Sequence, residues 1–244
     1  MNGAGNDFVL VDNRDDQVSL SREQIAQLCH RQRGIGADGL IYLRNAKNGA
    51  DWAWEFYNAD GSDAEMCGNG ARCFARYIQA TTGGGEKLSF ETVCGVIHAQ
   101  INGELVTINL TDPQGLALNE RIPTSGGEQT VHSLNTGVPH AVLFVDEADA
   151  AMVSSLGEEI RFHDHFAPAG TNVNFAQIIT PGHIRVRTYE RGVGETLACG
   201  TGVSASGRIV AYLNDWPSPV KVDVLGGDTM GVAFELEGDA FSAV

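Results

Sequence analysis

Glu65-Met66-Cys67-Gly68-Asn69-Gly70-Ala71-Arg72-Cys73 sets a cysteine immediately before a Gly-Asn-Gly turn that opens a helical pattern. Leu197-Ala198-Cys199-Gly200-Thr201-Gly202 repeats the arrangement before a second helical run. The two cysteines stand 132 residues apart (199 − 67), and the same offset without a gap carries a long register. It brings Tyr57 onto Tyr189, Asn58 onto Glu190, Asp63 onto Glu195, Gly68 onto Gly200, Gly70 onto Gly202 and Arg76 onto Arg208. Gly5 falls on Gly137, and Phe8-Val9-Leu10 falls on His140-Ala141-Val142. A register this long reads as an internal duplication. The expected fold is therefore α/β (α+β) in two pseudo-symmetric domains, residues 1–118 and 119–244. The second helical run is rich in Gly, Ser and Ala through Gly207, which permits close packing, so curved, mostly antiparallel strands are expected to wrap a central helix.

A chain of 244 residues with 43% hydrophobic content can bury a sizeable core in each half. Its 31 acidic against 16 basic residues give a net charge of −15, which disfavours nucleic acid, since phosphate binding needs clustered Lys and Arg. No apolar run approaches the roughly 20 residues of a membrane helix, and no basic, apolar leader is read at the N-terminus. The expectation is a soluble cytoplasmic protein acting on a small molecule, with a homodimer permitted. Five cysteines, at 29, 67, 73, 94 and 199, make an odd set too sparse for a disulfide framework. Cys29-His30 and the pair Cys67 and Cys73 lack the spacing of a zinc site, so no metal is expected.

Around the two motifs the local signals are regular. Val9-Leu10-Val11 reads as a strand, and Ser21-Arg22-Glu23-Gln24 as a capping box before a helix carrying Ile25, Leu28 and Cys29. Arg33 to Gly39 is a glycine-rich turn that precedes the strand Leu40 to Leu43 and so does not resemble a phosphate loop, whose glycines open a helix. Trp52 to Tyr57 is strand-like and delivers Asn58 to the first cysteine motif. Val96 to Ile101 and Leu105 to Leu110 form a hairpin around Asn102-Gly103. From Leu116 to Glu128 the apolar pattern lapses, which reads as the link between halves. Asp146 is expected to cap a short helix with Ala148, Met152 and Val153, and Ile184 to Tyr189 is a strand delivering Glu190-Arg191-Gly192.

A cysteine at a helix N-terminus meets unpaired N–H groups and a partial positive charge, which can lower its pKa from ~8.5 into the ~3.5–7.5 range. The same N–H groups, open to close approach at Gly68, Gly70, Gly200 and Gly202, suit a carboxylate. If the halves close around a pseudo-two-fold axis, one thiolate removes a proton beside that carboxylate. The opposite thiol then returns a proton to the other face and inverts the centre. A redox pair is disfavoured because the two-residue spacing of a dithiol site is absent.

The motifs Gly3-Ala4-Gly5-Asn6-Asp7-Phe8, Tyr57 to Ser62, Cys67 to Arg72, Tyr189 to Gly192 and Ala198 to Gly202 together resemble the diaminopimelate epimerase family, in its order and along essentially the whole chain. The resemblance implies interconversion of LL- and meso-diaminopimelate, for lysine and peptidoglycan precursors, without pyridoxal phosphate, other cofactor or metal. Carried over by position, it makes Cys67 and Cys199 the acid/base pair, and Gly68, Asn69, Gly200 and Thr201 the holders of the reacting carboxylate. It implies that Asn6, Asn58, Asn172, Glu190 and Arg191 bind the substrate's amino and carboxylate groups, and that His140 and Glu190 tune the thiols. The chain departs at Gly39, where some members have Gln, and at Val138, where many have Asn. Members also usually carry a strand before the position of Met1 and a segment after that of Val244. The alternative is another two-cysteine racemase, of the proline racemase type.

Overall fold

The computed structural model describes residues 1–64, 66–238 and 240–242. The chain divides into two compact units, Met1–Asn109 and Leu110–Val244. In the first, β1 (Asn2–Gly3), β2 (Asn6–Asp12), α1 (Arg22–Cys29), β3 (Gly39–Asn45), β4 (Trp52–Asn58), α2 (Gly68–Thr82), β5 (Lys87–Thr92), β6 (Gly95–Asn102) and β7 (Leu105–Ile108) follow one another. Their seven strands lie in chain order in one sheet. Pairing is antiparallel except where a helix intervenes: β2 with β3 across α1, and β4 with β5 across α2, are parallel. Parallel neighbours need such a crossover, whereas antiparallel ones close with a short turn.

Alternation along β3 distributes the two helices to opposite faces. Leu40 and Tyr42 join Ile25 and Cys29 of α1, while Ile41 and Leu43 join Phe74, Ala75 and Ile78 of α2. A strand buried on both faces loses the polar half of its pattern, which is why Leu40-Ile41-Tyr42-Leu43 reads as an unbroken apolar run. The α2 side is aromatic: Trp54 and Phe90 pack on Phe74, and Phe56 and Phe8 continue the cluster from Trp54. Ser21 accepts from the Gln24 N–H and Gln24 reaches back to the Ser21 N–H, so the expected capping box is formed. Gly83 ends α2 in a left-handed conformation, φ 69°. The β6–β7 turn lies one residue later than expected: Asn102 pairs with Leu105, leaving Gly103 (φ 57°) and Glu104 at the tip.

The second unit repeats the plan. β10 (Pro139–Phe144), α3 (Val153–Arg161), β11 (Asn172–Thr180), β12 (His183–Glu190), β13 (Gly194–Thr196), α4 (Gly200–Asn214), β14 (Val220–Val224) and β15 (Thr229–Val232) follow in sequence. Again β10–β11 and β12–β14 are the parallel pairs. The offset of 132 carries α2 onto α4 from end to end, both 15 residues long. It carries the turn after the strand as well: Tyr57 bridges Asp63, and Tyr189 pairs with Glu195. α3 packs on Val173 and Phe175, while α4 lies against β10 to β12, β14 and β15. A short ribbon, β16 (Glu235–Glu237) with β17 (Ala240–Ser242), follows.

Two expectations change. Leu116 to Glu128 is not a link but sheet, since β8 (Gln114–Thr124) and β9 (Gly127–Asn135) form a hairpin that extends the second sheet beyond β10. β8 is an edge strand with two register shifts, a place where Pro123 costs no ladder bond, and its polar sequence therefore reads as loop. The contact boundary accordingly falls at 109/110, ahead of this hairpin. Asp146 caps nothing: a 3₁₀ turn occupies Ala148–Ala150, and α3 begins after Met152, whose side chain cannot cap. Among the described residues no helix is long and apolar enough to cross a membrane.

Candidate active site

In the first unit, Cys67 is the N-cap of α2 in an extended conformation (φ −145°, ψ 116°), and its Sγ accepts from the Gly70 N–H at 3.5 Å. The first turn behind it, Gly68, Asn69 and Gly70, is buried. Asn69 donates to the Asn6 side-chain oxygen at 2.6 Å, and Asn6 donates to Asp38 at 3.1 Å. Thus Asn6 and Asn69 are in contact, tying the start of β2 to the start of α2. Arg31 then bridges Asp38 and both oxygens of Asp7, and its guanidinium is the main force holding the Asp7 carboxyl below its ordinary value. Sequence reasoning missed this ionic support; its signal is weak, being an Asp directly before a strand and an Arg after a helix end. Asn58 stands exposed at the end of β4, donating to Ser62 Oγ at 3.1 Å. Gly39 leaves no room for a side chain as the backbone runs, because a Cβ there would sit 2.6 Å from the Tyr57 carbonyl oxygen.

In the second unit, Cys199 caps α4 and lies 3.4 Å from the Thr201 hydroxyl. Burial pushes its thiol well above the ordinary value, and the Glu190 carboxylate adds to this; the Thr201 hydroxyl and Gly202 N–H oppose it without prevailing. Cys199 is therefore a thiol at neutral pH, although its helix end by itself favours ionisation. Desolvation disfavours the charged form more than one helix N-terminus favours it. Glu190, whose charge raises that thiol, accepts from Thr196 Oγ1 at 2.6 Å, and burial raises its own carboxyl. Asn172, buried, accepts from the Arg191 backbone N–H at 2.8 Å, and the Arg191 guanidinium donates to the Ala169 carbonyl at 3.1 Å. Thr201 is tied down through its carbonyl, which accepts from Thr136 Oγ1 at 2.9 Å. At Val138, the family's Asn position, the backbone carbonyl accepts from the Thr136 N–H.

His140 is 1% exposed, and burial, with the Arg191 charge second, pulls its pKa down to about 3. It is neutral at any working pH. Its Nδ1 lies 3.2 Å from the Asn174 side-chain amide, a residue that sequence reasoning had left out of the site. Asn174 also sets what Gly202 is for. A Cβ on Gly202 would meet Asn174 Oδ1 at 2.3 Å and His140 Cε1 at 3.3 Å, whereas one on the equivalent Gly70 would meet Phe8 and Ile41 carbons at an ordinary 3.4 Å. We expect Gly202→Ala to cost roughly 1–3 kcal/mol of stability by overpacking and Gly70→Ala far less. Thermal melts of the two variants test this, and equal losses would contradict it.

The model of the diaminopimelate epimerase family matches residues 1–114 and 132–238 of this chain. A diaminopimelate epimerase of Aquifex aeolicus is 44% identical over 96% of this chain and 88% of its own length. One from Archaeoglobus fulgidus is 40% identical over 93% of this chain and 85% of its own. Among solved structures, a Bacillus anthracis phenazine biosynthesis protein of the PhzF family superposes with a TM-score of 0.71 at 15% identity, covering 100% of this chain and 90% of that one. An Agrobacterium vitis hydroxyproline epimerase does so with a TM-score of 0.65 at 19% identity, over 90% and 75%. At those identities the two structures speak for the fold alone, and the duplicated α/β architecture is the one they share.

Proposed function

Since the chain belongs to the diaminopimelate epimerase family, we propose that it interconverts LL- and meso-diaminopimelate by two-base proton transfer at the α carbon, with Cys67 and Cys199 as the pair. The observation that carries this reading is the repetition of one device. In each unit a strand end, a folded-back turn and a cysteine N-cap precede a 15-residue helix. One sulfur takes the α proton as a thiolate, and the electron pair left on carbon is delocalised into the adjacent carboxylate. The other sulfur gives its proton to the opposite face, so each turnover exchanges the protonation of the two thiols. Helix N–H groups of Gly68-Asn69 and Gly200-Thr201 favour the charge that builds on the carboxylate between the steps.

Cys199 enters as the thiol, with Glu190 placed to take its proton when the reverse direction requires a thiolate. Asn6, Asn58, Asn172, Glu190 and Arg191 bind the remaining amino and carboxylate groups, a zwitterion calling for neutral forks, an anion and a guanidinium. Pyridoxal phosphate is not needed, because the enolate-like charge is met by helix ends. The reducing cytoplasm, where thiols persist, is the proposed compartment, and lysine and peptidoglycan precursors are the destination.

Turnover of LL-diaminopimelate against L-proline, followed by solvent deuterium entry at the α carbon, tests the proposal. Exchange into diaminopimelate and none into proline is expected. Faster exchange into proline would replace it with the proline racemase reading, and exchange into neither would remove the enzymatic one.

A further inference from the structure

The inner faces of the two units differ at three adjacent positions under the first turn of the cysteine-capped helix. In the first unit they are Phe8, Ile41 and Phe56: Ile41 pairs directly with Phe56, Phe8 lies edge-on to Phe56 at 5.9 Å, and Phe8 and Ile41 are what a Cβ on Gly70 would meet. In the second unit the same places hold His140, Asn174 and Thr188. Asn174 pairs directly with Thr188, and His140 and Asn174 are what a Cβ on Gly202 would meet. An apolar trio in one copy is thus a polar trio in the other, and all three polar residues are buried. Burying three polar side chains where their counterparts are hydrocarbon costs free energy unless each is hydrogen-bonded.

The bonds they make have only one consistent direction. The Asn174 Nδ2 lies 3.0 Å from the Ala141 carbonyl, which can only accept, so the amide nitrogen and not the oxygen faces β10. Its second hydrogen then points to His140 Nδ1 at 3.2 Å, and Asn174 Oδ1 accepts from Thr188 Oγ1 at 2.9 Å. With a donor opposite it, Nδ1 must be the lone-pair nitrogen of the ring. The ring proton sits on Nε2, which is buried and has no hydrogen-bond partner among the described residues. Cε1, bonded to both nitrogens, lies against the first turn of α4.

We propose that Asn174, anchored by Thr188 and the Ala141 carbonyl, is a positioning residue that fixes His140 as the Nε2–H tautomer and so makes it a hydrogen-bond donor, never a proton acceptor, in the reaction. This rests on the proposed epimerase reading for its catalytic meaning, but the tautomer itself does not. A neutral donor held at a helix N-terminus strengthens the local preference for negative charge on a substrate carboxylate or a sulfur without adding a titrating group. An imidazole whose partner were a carboxylate would do the opposite, with its proton on Nδ1 and a basic Nε2.

The test begins on the intact, substrate-free protein. Nitrogen-15 spectra of the imidazoles, with His140 assigned by its loss in His140→Gln, should show a protonated Nε2 and a bare Nδ1 that do not change across neutral pH. A wild-type Nδ1–H form, or a ring that titrates near neutrality, overturns the proposal even if Asn174 variants do not fold. Asn174→Asp should move the proton to Nδ1 and lower kcat roughly 10- to 100-fold with little change in KM, the range seen when the partner orienting a functional imidazole is removed. An unchanged tautomer in that variant also overturns it. His140→Gln, which keeps an N–H donor near Nε2, should retain at least ten times the kcat of His140→Leu, about the lower end of that range; equal losses mean the imidazole works as a base. A protein that shows the tautomer but does not epimerise diaminopimelate sinks the functional reading and leaves the structural one standing.

Discussion

Cys67→Ser and Cys199→Ser should each lose epimerase activity by at least ~10²–10⁴, the worth of one general acid or base, and more because the partner's return step fails as well. Elimination of HX from a β-halogenated analogue needs only one base, and the halide leaves with the electron pair. Each variant should therefore still eliminate from one halogenated stereoisomer and not from the other. The two units give a reason to expect unequal residual rates: Cys199 is buried, with the Glu190 charge holding its thiol up, whereas Cys67 is half-buried with its sulfur against the Gly70 N–H. Should both variants eliminate equally from both isomers, the thiols do not serve opposite faces.

Glu190→Gln should separate two properties that usually move together. The carboxylate raises the Cys199 thiol by its charge, so removing it lets the thiol ionise at lower pH, and the midpoint for alkylation of Cys199 should fall. Epimerisation should nevertheless drop by about 10²-fold or more, because the acceptor for the thiol proton is gone. The sign of the acid limb follows from the carboxyl itself. Burial holds Glu190 above its ordinary 4.5, so the enzyme needs a pH above that value for Glu190 to accept, and this limb should vanish in the Gln variant. Peptide mapping of iodoacetamide labelling against pH, beside the rate profile, decides the matter. A rise in KM with no movement of the labelling midpoint would instead make Glu190 a binder of the substrate amine alone.

The duplication was legible because strand, turn and helix keep one register from Tyr57 to Arg76 and from Tyr189 to Arg208. The polar trio was not. An offset of 132 aligns Asn174 with Tyr42, which faces α1, and only a one-residue slip of β11 relative to β3 puts Asn174 in the place of Ile41. Pairing register is a tertiary property, set by which face each strand buries. β8 was misread for a related cause, its edge position and bulges erasing the alternation. Which cysteine rests as the thiol was not legible either: sequence shows the helix end and hides how much water is removed from the sulfur.

The turn between β4 and α2 and the turn between β12 and α4 have identical length, ten positions from Asn58 to Gly68 and ten from Glu190 to Gly200. Their compositions have drifted apart, Ala59-Asp60-Gly61-Ser62 against Arg191-Gly192-Val193-Gly194, while the count has not. A helix of 3.6 residues per turn swings its cap by about 100° for each residue gained or lost. Deleting a single residue here would turn the sulfur away from the place it now holds at the helix end, whereas a Cβ added at Gly126 in the hairpin tip would meet nothing within 4 Å. These two turns act as spacers of fixed gauge, so an insertion or deletion in either should cost more activity than one placed where no cysteine has to be aimed.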